Sequence, residues 1–223
     1  MIKFLTDPKP FLLNTTTKFL EPASITIATK EELGKLFKKD GWHFKWSKVP
    51  SNEVEVYKIC LSSAKNFIQG LIAINNQTDH LFLPLIETAP TNFGKEKRYD
   101  GVLLALTAFG CWLSFQYGHE GIVVFEPKTQ LISHYAAKLS AVLLTKNRMA
   151  ILEDEAYFFS NFTINEKSMK KNTKNNKTGL SDEPIGRIYS PTELKEIGKE
   201  NSAALKTLRK KKKQKLLTKI KTS

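Results

Sequence analysis

Two spacings of apolar residues alternate along this chain and set out its elements. Residues 54–61, 67–75 and 79–88 are apolar, β-prone runs joined by Ser62-Ser63-Ala64-Lys65-Asn66 and Asn76-Gln77-Thr78, which predicts a three-stranded antiparallel meander. Gly70 in the middle run marks a bulge or a close approach of another group. From Gly101 onward, seventeen residues are apolar nearly all round, so a helix there must be covered by other elements. Gly118-His119-Glu120-Gly121 makes a turn, 122–125 reads as a buried strand, and 128–139 reads as a second helix. Residues 142–145 and 149–152 form a closing hairpin, and a short helix is expected over 154–162.

The flanks are less regular. Pro8, Pro10, Pro22 and an Asn-Thr-Thr-Thr run give loop over most of 1–25, with a short strand at 24–28. Thr29-Lys30-Glu31-Glu32 has the form of a capping box, and Leu33, Leu36 and Phe37 continue it as about two helical turns ending at Asp40-Gly41. Trp42, Phe44 and Trp46 alternate as a strand does; core packing is the simpler reading, and the lining of an acceptor pocket is the other. Residues 165–182 are polar and Lys/Asn-rich, too poor in apolar groups to offset ordering entropy. Ser190-Pro191-Thr192-Glu193 then starts a helix, with Leu194, Ile197, Ala204, Leu205 and Leu208 as an apolar stripe. The expected organisation is one domain over 1–166, a flexible linker over 167–189, and a basic helical tail over 190–223 that is dispensable for folding.

Charge sharpens that division. Residues 167–223 hold 17 Lys/Arg against 5 Asp/Glu, whereas 1–166 hold 18 against 17, so nearly all of the net +13 belongs to the end of the chain. Residues 206–221 therefore suit nucleic acid or another polyanion, although a solvated lysine-rich terminus carries the same composition. Two cysteines, Cys60 and Cys111, lie in apolar contexts without a CxxC or a ligand-spaced histidine, which argues against a disulfide scaffold and against a metal site. No run reaches the roughly 18 apolar residues of a membrane span, and the start lacks a leader's apolar core, so a cytoplasmic protein without membrane contact is expected.

The stretch between strand 79–88 and the apolar helix carries Gly94, Lys95, Lys97 and Arg98. A helix entered through such a turn offers unpaired N–H groups and the positive end of its dipole to a phosphate. The spacing Arg98-x-x-Gly101-x-Leu103 resembles the R/Q-x-x-G-x-G/A signature of the GNAT superfamily of N-acetyltransferases, and 131–141, with Tyr135, resembles that family's A-x-x-L-Y-x-x-x-G-F segment. The resemblance covers about residues 40–160 and follows the family's strand–helix–strand–helix order. It implies an α+β fold, with a mixed, mostly antiparallel sheet flanked by helices and, here, a basic C-terminal extension.

It also implies an acetyl-CoA-dependent acetyl transfer to an amine that the sequence leaves unidentified. Lys97, Arg98, Tyr99, Gly101 and Val102 would hold the pyrophosphate. The backbone near Ile86 and Thr88 would pair with the pantetheine arm in a gap between the strands at 79–88 and 122–125. Tyr135 would protonate the leaving thiolate. From the residues themselves, Glu87, a lone carboxylate in an apolar strand, is the candidate base, ahead of His80 and His134. The competing reading is a non-catalytic GNAT-like scaffold that binds a polyanion through its tail. Leu103, where the family has Gly or Ala, and Pro90, eight residues before Arg98, favour it.

Overall fold

Polar turns of a few residues leave three β-prone runs no partners nearer than one another, and β3 (Glu55–Leu61), β4 (Ala64–Asn76) and β5 (Leu81–Thr88) pair antiparallel in that order. The computed structural model describes residues 9–162 and 184–221. Within them lie β1 (Phe11–Asn14), β2 (Leu20–Ile27), α1 (Lys30–Gly34), β6 (Tyr99–Asp100), α2 (Val102–Gln116), β7 (Val123–Phe125) and α3 (Ile132–Leu139). The chain continues through β8 (Val142–Leu143), β9 (Met149–Ile151), α4 (Glu153–Phe162), β10 (Ile185–Gly186) and α5 (Pro191–Lys221). The fold is α+β, built on a large, open, mostly antiparallel sheet in the order β6-β1-β2-β3-β4-β5-β7-β9-β8, with β10 paired to β5 off that path.

The central crossover is β5–α2–β7, and β7 lies parallel to β5 with Leu81, Phe82 and Leu83 opposite Val123, Val124 and Phe125. All eight residues of β5 are buried because both faces of the sheet are covered. On one face α2 packs into a core with Ile72, Ile74, Leu83 and Tyr135. Gly70 is the expected close approach: a Cβ there would stand 2.6 Å from Val102 Cγ1. On the other face, Leu71, Ala73, Phe82 and Leu85 form a second core with Trp42, Trp46, Tyr189, Leu194, Ile197 and Leu205.

That second core corrects the sequence reading in two places. Residues 42–46 are not a strand; bends and a short 3-10 turn over Trp46–Lys48 carry them, and Trp42 and Trp46 both turn inward. The helix that begins at Pro191 does not start as a separate tail. Ser190 and Glu193 close the expected capping box, and α5 then lays Leu194, Ile197 and Leu205 on the sheet at 5% exposure or less. Most of the expected linker lies outside the described residues.

Polar groups fix the register of this docking. Asn201 Nδ2 lies 3.2 Å from His80 Nε2, Ser202 Oγ donates to Asp79 Oδ1 at 2.7 Å, and Gln77 Nε2 donates to the Leu194 carbonyl at 3.1 Å. Arg148 pairs with Glu200 at 2.9 Å, and Arg209 reaches Glu120 at 2.6 Å. Two further elements had no sequence signal: β1, which makes a hairpin with β2, and β6, whose two residues pair with Leu13 and Asn14.

Candidate functional site

β5 and β7 part company after Leu83 and Phe125, where their pairing ends. Beyond that point the β5 edge would offer its backbone to an extended ligand. In this chain the edge is taken. β10 runs antiparallel along it, with Ile185 opposite Ile86 and Gly186 opposite Leu85, and the Arg187 N–H donates to the Pro84 carbonyl at 3.0 Å. Gly186 has φ +87°, and a Cβ on it would overlap the Pro84 carbonyl, so glycine is what lets the two backbones meet. Ile185 is 2% exposed and joins the α2 core. The Ile86 backbone assigned from sequence to a pantetheine arm is thus occupied by the chain's own strand.

The turn before α2 is also filled from within. Gly101, at φ +86°, caps the helix, and its N–H donates to Asp100 Oδ1 at 2.8 Å, so a carboxylate already sits at the positive end of the dipole. Lys97 pairs with the same carboxylate at 2.9 Å. Val102 is buried against Gly70, and the Arg98 guanidinium lies 5.7 Å from the Tyr99 ring centre. Tyr99 is buried, its hydroxyl donating to Glu21 at 3.3 Å; burial first, then the Glu21 charge, pushes its pKa up. Thr15 binds the Lys97 and Arg98 carbonyls from the β1–β2 turn. Asn92, which no sequence signal marked, pins the loop by donating to Gln69 at 2.9 and 3.0 Å and accepting from the Tyr99 N–H at 3.0 Å. Its isolated position in a polar loop gave nothing to distinguish it from a surface residue.

Glu87 is the most heavily engaged of the sequence candidates. It is 1% exposed, and its carboxylate accepts the His43 backbone N–H at 2.5 Å, the Trp46 indole N–H at 2.7 Å and the Phe44 N–H at 3.4 Å. His43 Nδ1 stands 3.2 Å away. These donors are what makes burial of the carboxylate tolerable. Glu87 and Thr88 together line a small cavity of about 80 Å3 whose other walls include His43, Phe93, Pro90 and Pro184. The Thr88 hydroxyl is buried there without a hydrogen-bond partner among the described residues. Such a site, with one acid, one half-exposed imidazole and one spare hydroxyl, has the chemistry to accept hydrogen bonds from a small amine.

The remaining candidates lie elsewhere. Tyr135 is fully buried in the α2-side core, its ring edge-on to Phe125 at 5.4 Å. His80 is buried beneath α5, and desolvation lowers its pKa despite the Asp79 carboxylate at 2.9 Å. His134 is partly buried on α3, its pKa lowered by burial and by Lys138. Among the described residues, no cluster of three or more His, Cys, Asp or Glu is placed to hold a metal ion, and no helix is long and apolar enough to cross a membrane.

The last feature is the second half of α5. Past Leu205, residues 206–221 carry nine Lys/Arg and no Asp or Glu; Arg209 among them still pairs with Glu120 and Glu153, and the helix continues to Lys221. Lys206, Lys210 and Lys211 are exposed. No protein-family model matches this chain, and no curated protein sequence matches it.

Proposed function

We propose that this chain is a nucleic-acid-binding protein in which an acyltransferase-like sheet acts as the scaffold and α5 as the binding element. The observation that carries the reading is the state of α5. Its first half is fixed by Leu194, Ile197, Leu205 and Asn201, and the helix then runs on through a stretch whose sequence holds nine Lys/Arg and no acid, of which Lys206, Lys210 and Lys211 are exposed and Arg209 is paired with Glu120. Phosphates along a nucleic-acid backbone would replace the solvent around those cations, and the release of condensed counterions would drive binding. β10 on the Ile86 edge and Asp100 at the α2 N-terminus support a scaffold without a cofactor. The test is a titration of the intact protein with a duplex oligonucleotide at two salt concentrations, with heparin as competitor to separate nucleic acid from polyanions at large.

A second reading is favoured by the parting of β5 from β7 beside the Glu87–Thr88 cavity. In it the protein transfers an acetyl group from acetyl-CoA to an amine. Glu87 or His43 would take the proton of the attacking ammonium, the nitrogen would add to the thioester carbonyl, and the C–S bond would break, with the same group returning the proton to the thiolate; Tyr135, buried in the α2-side core, does not line this cavity. β10 would first have to leave Ile86. A rise in melting temperature with millimolar acetyl-CoA is the result that would favour this reading.

A further inference from the structure

Because antiparallel strands alternate in direction, the β1–β2 turn, the β3–β4 turn and the loop that leaves β5 all lie at the same end of the sheet. Three phenylalanines stand there. Phe19 ends the first turn, Phe67 follows the second and Phe93 lies on the loop, at 73%, 70% and 39% exposure. The first two are the most exposed large apolar side chains among the described residues. Apolar rings scattered singly over a surface call for no partner, but three gathered at one end do.

The segments that carry these rings are bound to one another. Thr15 donates its N–H to the Arg98 carbonyl at 3.0 Å, which joins the β1–β2 turn to the loop. Asn92 Nδ2 donates to Gln69 Oε1 at 2.9 Å and Gln69 Nε2 to the Phe67 carbonyl at 3.2 Å, which joins the loop to the start of β4. The surface is therefore preformed, and a ligand meets little of the cost of ordering it. The strands that Phe19 and Phe67 adjoin, β2 and β4, lie two strand spacings apart, about 10 Å, so each ring has room for a flat group of its own.

Charge identifies the partner. Residues 15–19, 62–67 and 91–98 hold five Lys/Arg against one acid, Glu96, and each ring has a lysine within two residues: Lys18, Lys65 and Lys95. Those three lysines and Arg98 are exposed. Two further acids close by are engaged, Glu21 by Asn14 at 2.7 Å and Asp100 by Lys97 at 2.9 Å. A lipid surface would favour contiguous rings, whereas here polar residues separate them and each keeps its own cation. That alternation matches a polymer whose every unit carries a base and a phosphate. A duplex keeps its bases stacked on one another, so the matching polymer is single-stranded.

We infer that this end of the sheet binds single-stranded nucleic acid, with bases stacked on Phe19 and Phe67 and phosphates held at Lys18 and Lys65. Arg209 of α5 pairs with Glu120 at the opposite end, where β5 and β7 begin, so the surface stands apart from the cations of α5 and does not depend on what they bind.

The test is fluorescence anisotropy of the full chain with a labelled oligothymidylate of about 15 nucleotides, and with its duplex, at 200 mM salt, where contacts made by charge alone are weak. The single strand should bind saturably and about tenfold more tightly than the duplex. Phe19→Ala and Phe67→Ala, both at exposed positions, should each weaken single-strand binding about tenfold, and Phe67→Leu by as much, because it keeps the apolar bulk without the flat ring. Phe67→Tyr should bind within about twofold of the unaltered protein. Duplex binding at 50 mM salt, which reads α5, should be the same in all four variants. Absence of saturable single-strand binding, full affinity in the variant lacking both Phe19 and Phe67 rings, full affinity in Phe67→Leu, or an equal loss of duplex binding would each overturn the inference. Phe67-dependent retention on phosphatidylserine vesicles without oligothymidylate binding would assign the surface to lipid instead.

Discussion

Glu87 gathers three N–H donors and an imidazole around one buried carboxylate, and that arrangement ties the 43–46 segment to β5. Glu87→Gln would turn a donor amide toward at least one of those N–H groups, leaving a buried polar pair unsatisfied at about 1–3 kcal/mol. Chemical denaturation checks this, and an unchanged midpoint would mean the four contacts are not made. Gly186→Ala should cost a similar amount, about 1–3 kcal/mol, because it combines a left-handed φ with an overlap at the Pro84 carbonyl. Equal stability of the alanine variant would place β10 away from β5. The sequence marked Glu87 because a lone acid in an apolar strand needs an explanation. It did not mark the partners, since Trp42, Phe44 and Trp46 mimic a strand's alternation while reaching the core from an irregular segment. Gly186 gave no signal at all, because a glycine's positive φ is set by what it must approach.

At the scale of elements, the meander, both central helices, the closing hairpin and the capping box of α1 follow from period and turn chemistry, and the structure contains each of them. What sequence could not convey was where α5 goes. Its stripe of Leu194, Ile197 and Leu205 reads the same whether it meets another chain or this sheet, and the lysines that follow make it resemble a solvated tail. A chain ending at residue 166 loses Ile185, Tyr189, Leu194, Ile197 and Leu205, five buried side chains worth about 10 kcal/mol in removed apolar surface. That rivals the whole stability of a domain, so the shortened protein should be insoluble or unfolded by circular dichroism; a cooperative melt at the original temperature would show α5 undocked.

The docking also has a pH signature. His80 faces Asp79, Asn201 and, at longer range, His119, and burial sets its folded pKa below the ordinary 6.5. The unfolded chain therefore binds the proton more readily. The stabilising contribution of neutral His80 is fully present above pH 6.5 and is lost as pH falls through the lowered value. Melting temperature should drop between pH 7.5 and 5.5, and His80→Gln should flatten that drop; an equal drop in both proteins would assign it to other groups.

For the whole molecule, the division of charge matters more than its total. A nearly neutral sheet with its helices holds one end of a helix whose other end carries nine cations and no carboxylate. The gap that an acyl-CoA arm would need is closed by β10, and the turn that would hold its pyrophosphate is closed by Asp100. The residues that resembled a cofactor signature were legible in sequence; the strand that fills the gap lies about a hundred residues further on and has no motif of its own. The most direct measurement is the affinity of the intact protein for a duplex oligonucleotide at 50 and 200 mM salt, beside acetyl-CoA under the same conditions. The expected result is binding that weakens about a thousandfold across that salt range, as for roughly six neutralised phosphates, with no saturable binding of acetyl-CoA. Saturable acetyl-CoA binding, together with oligonucleotide binding that is absent or indifferent to salt, would contradict it.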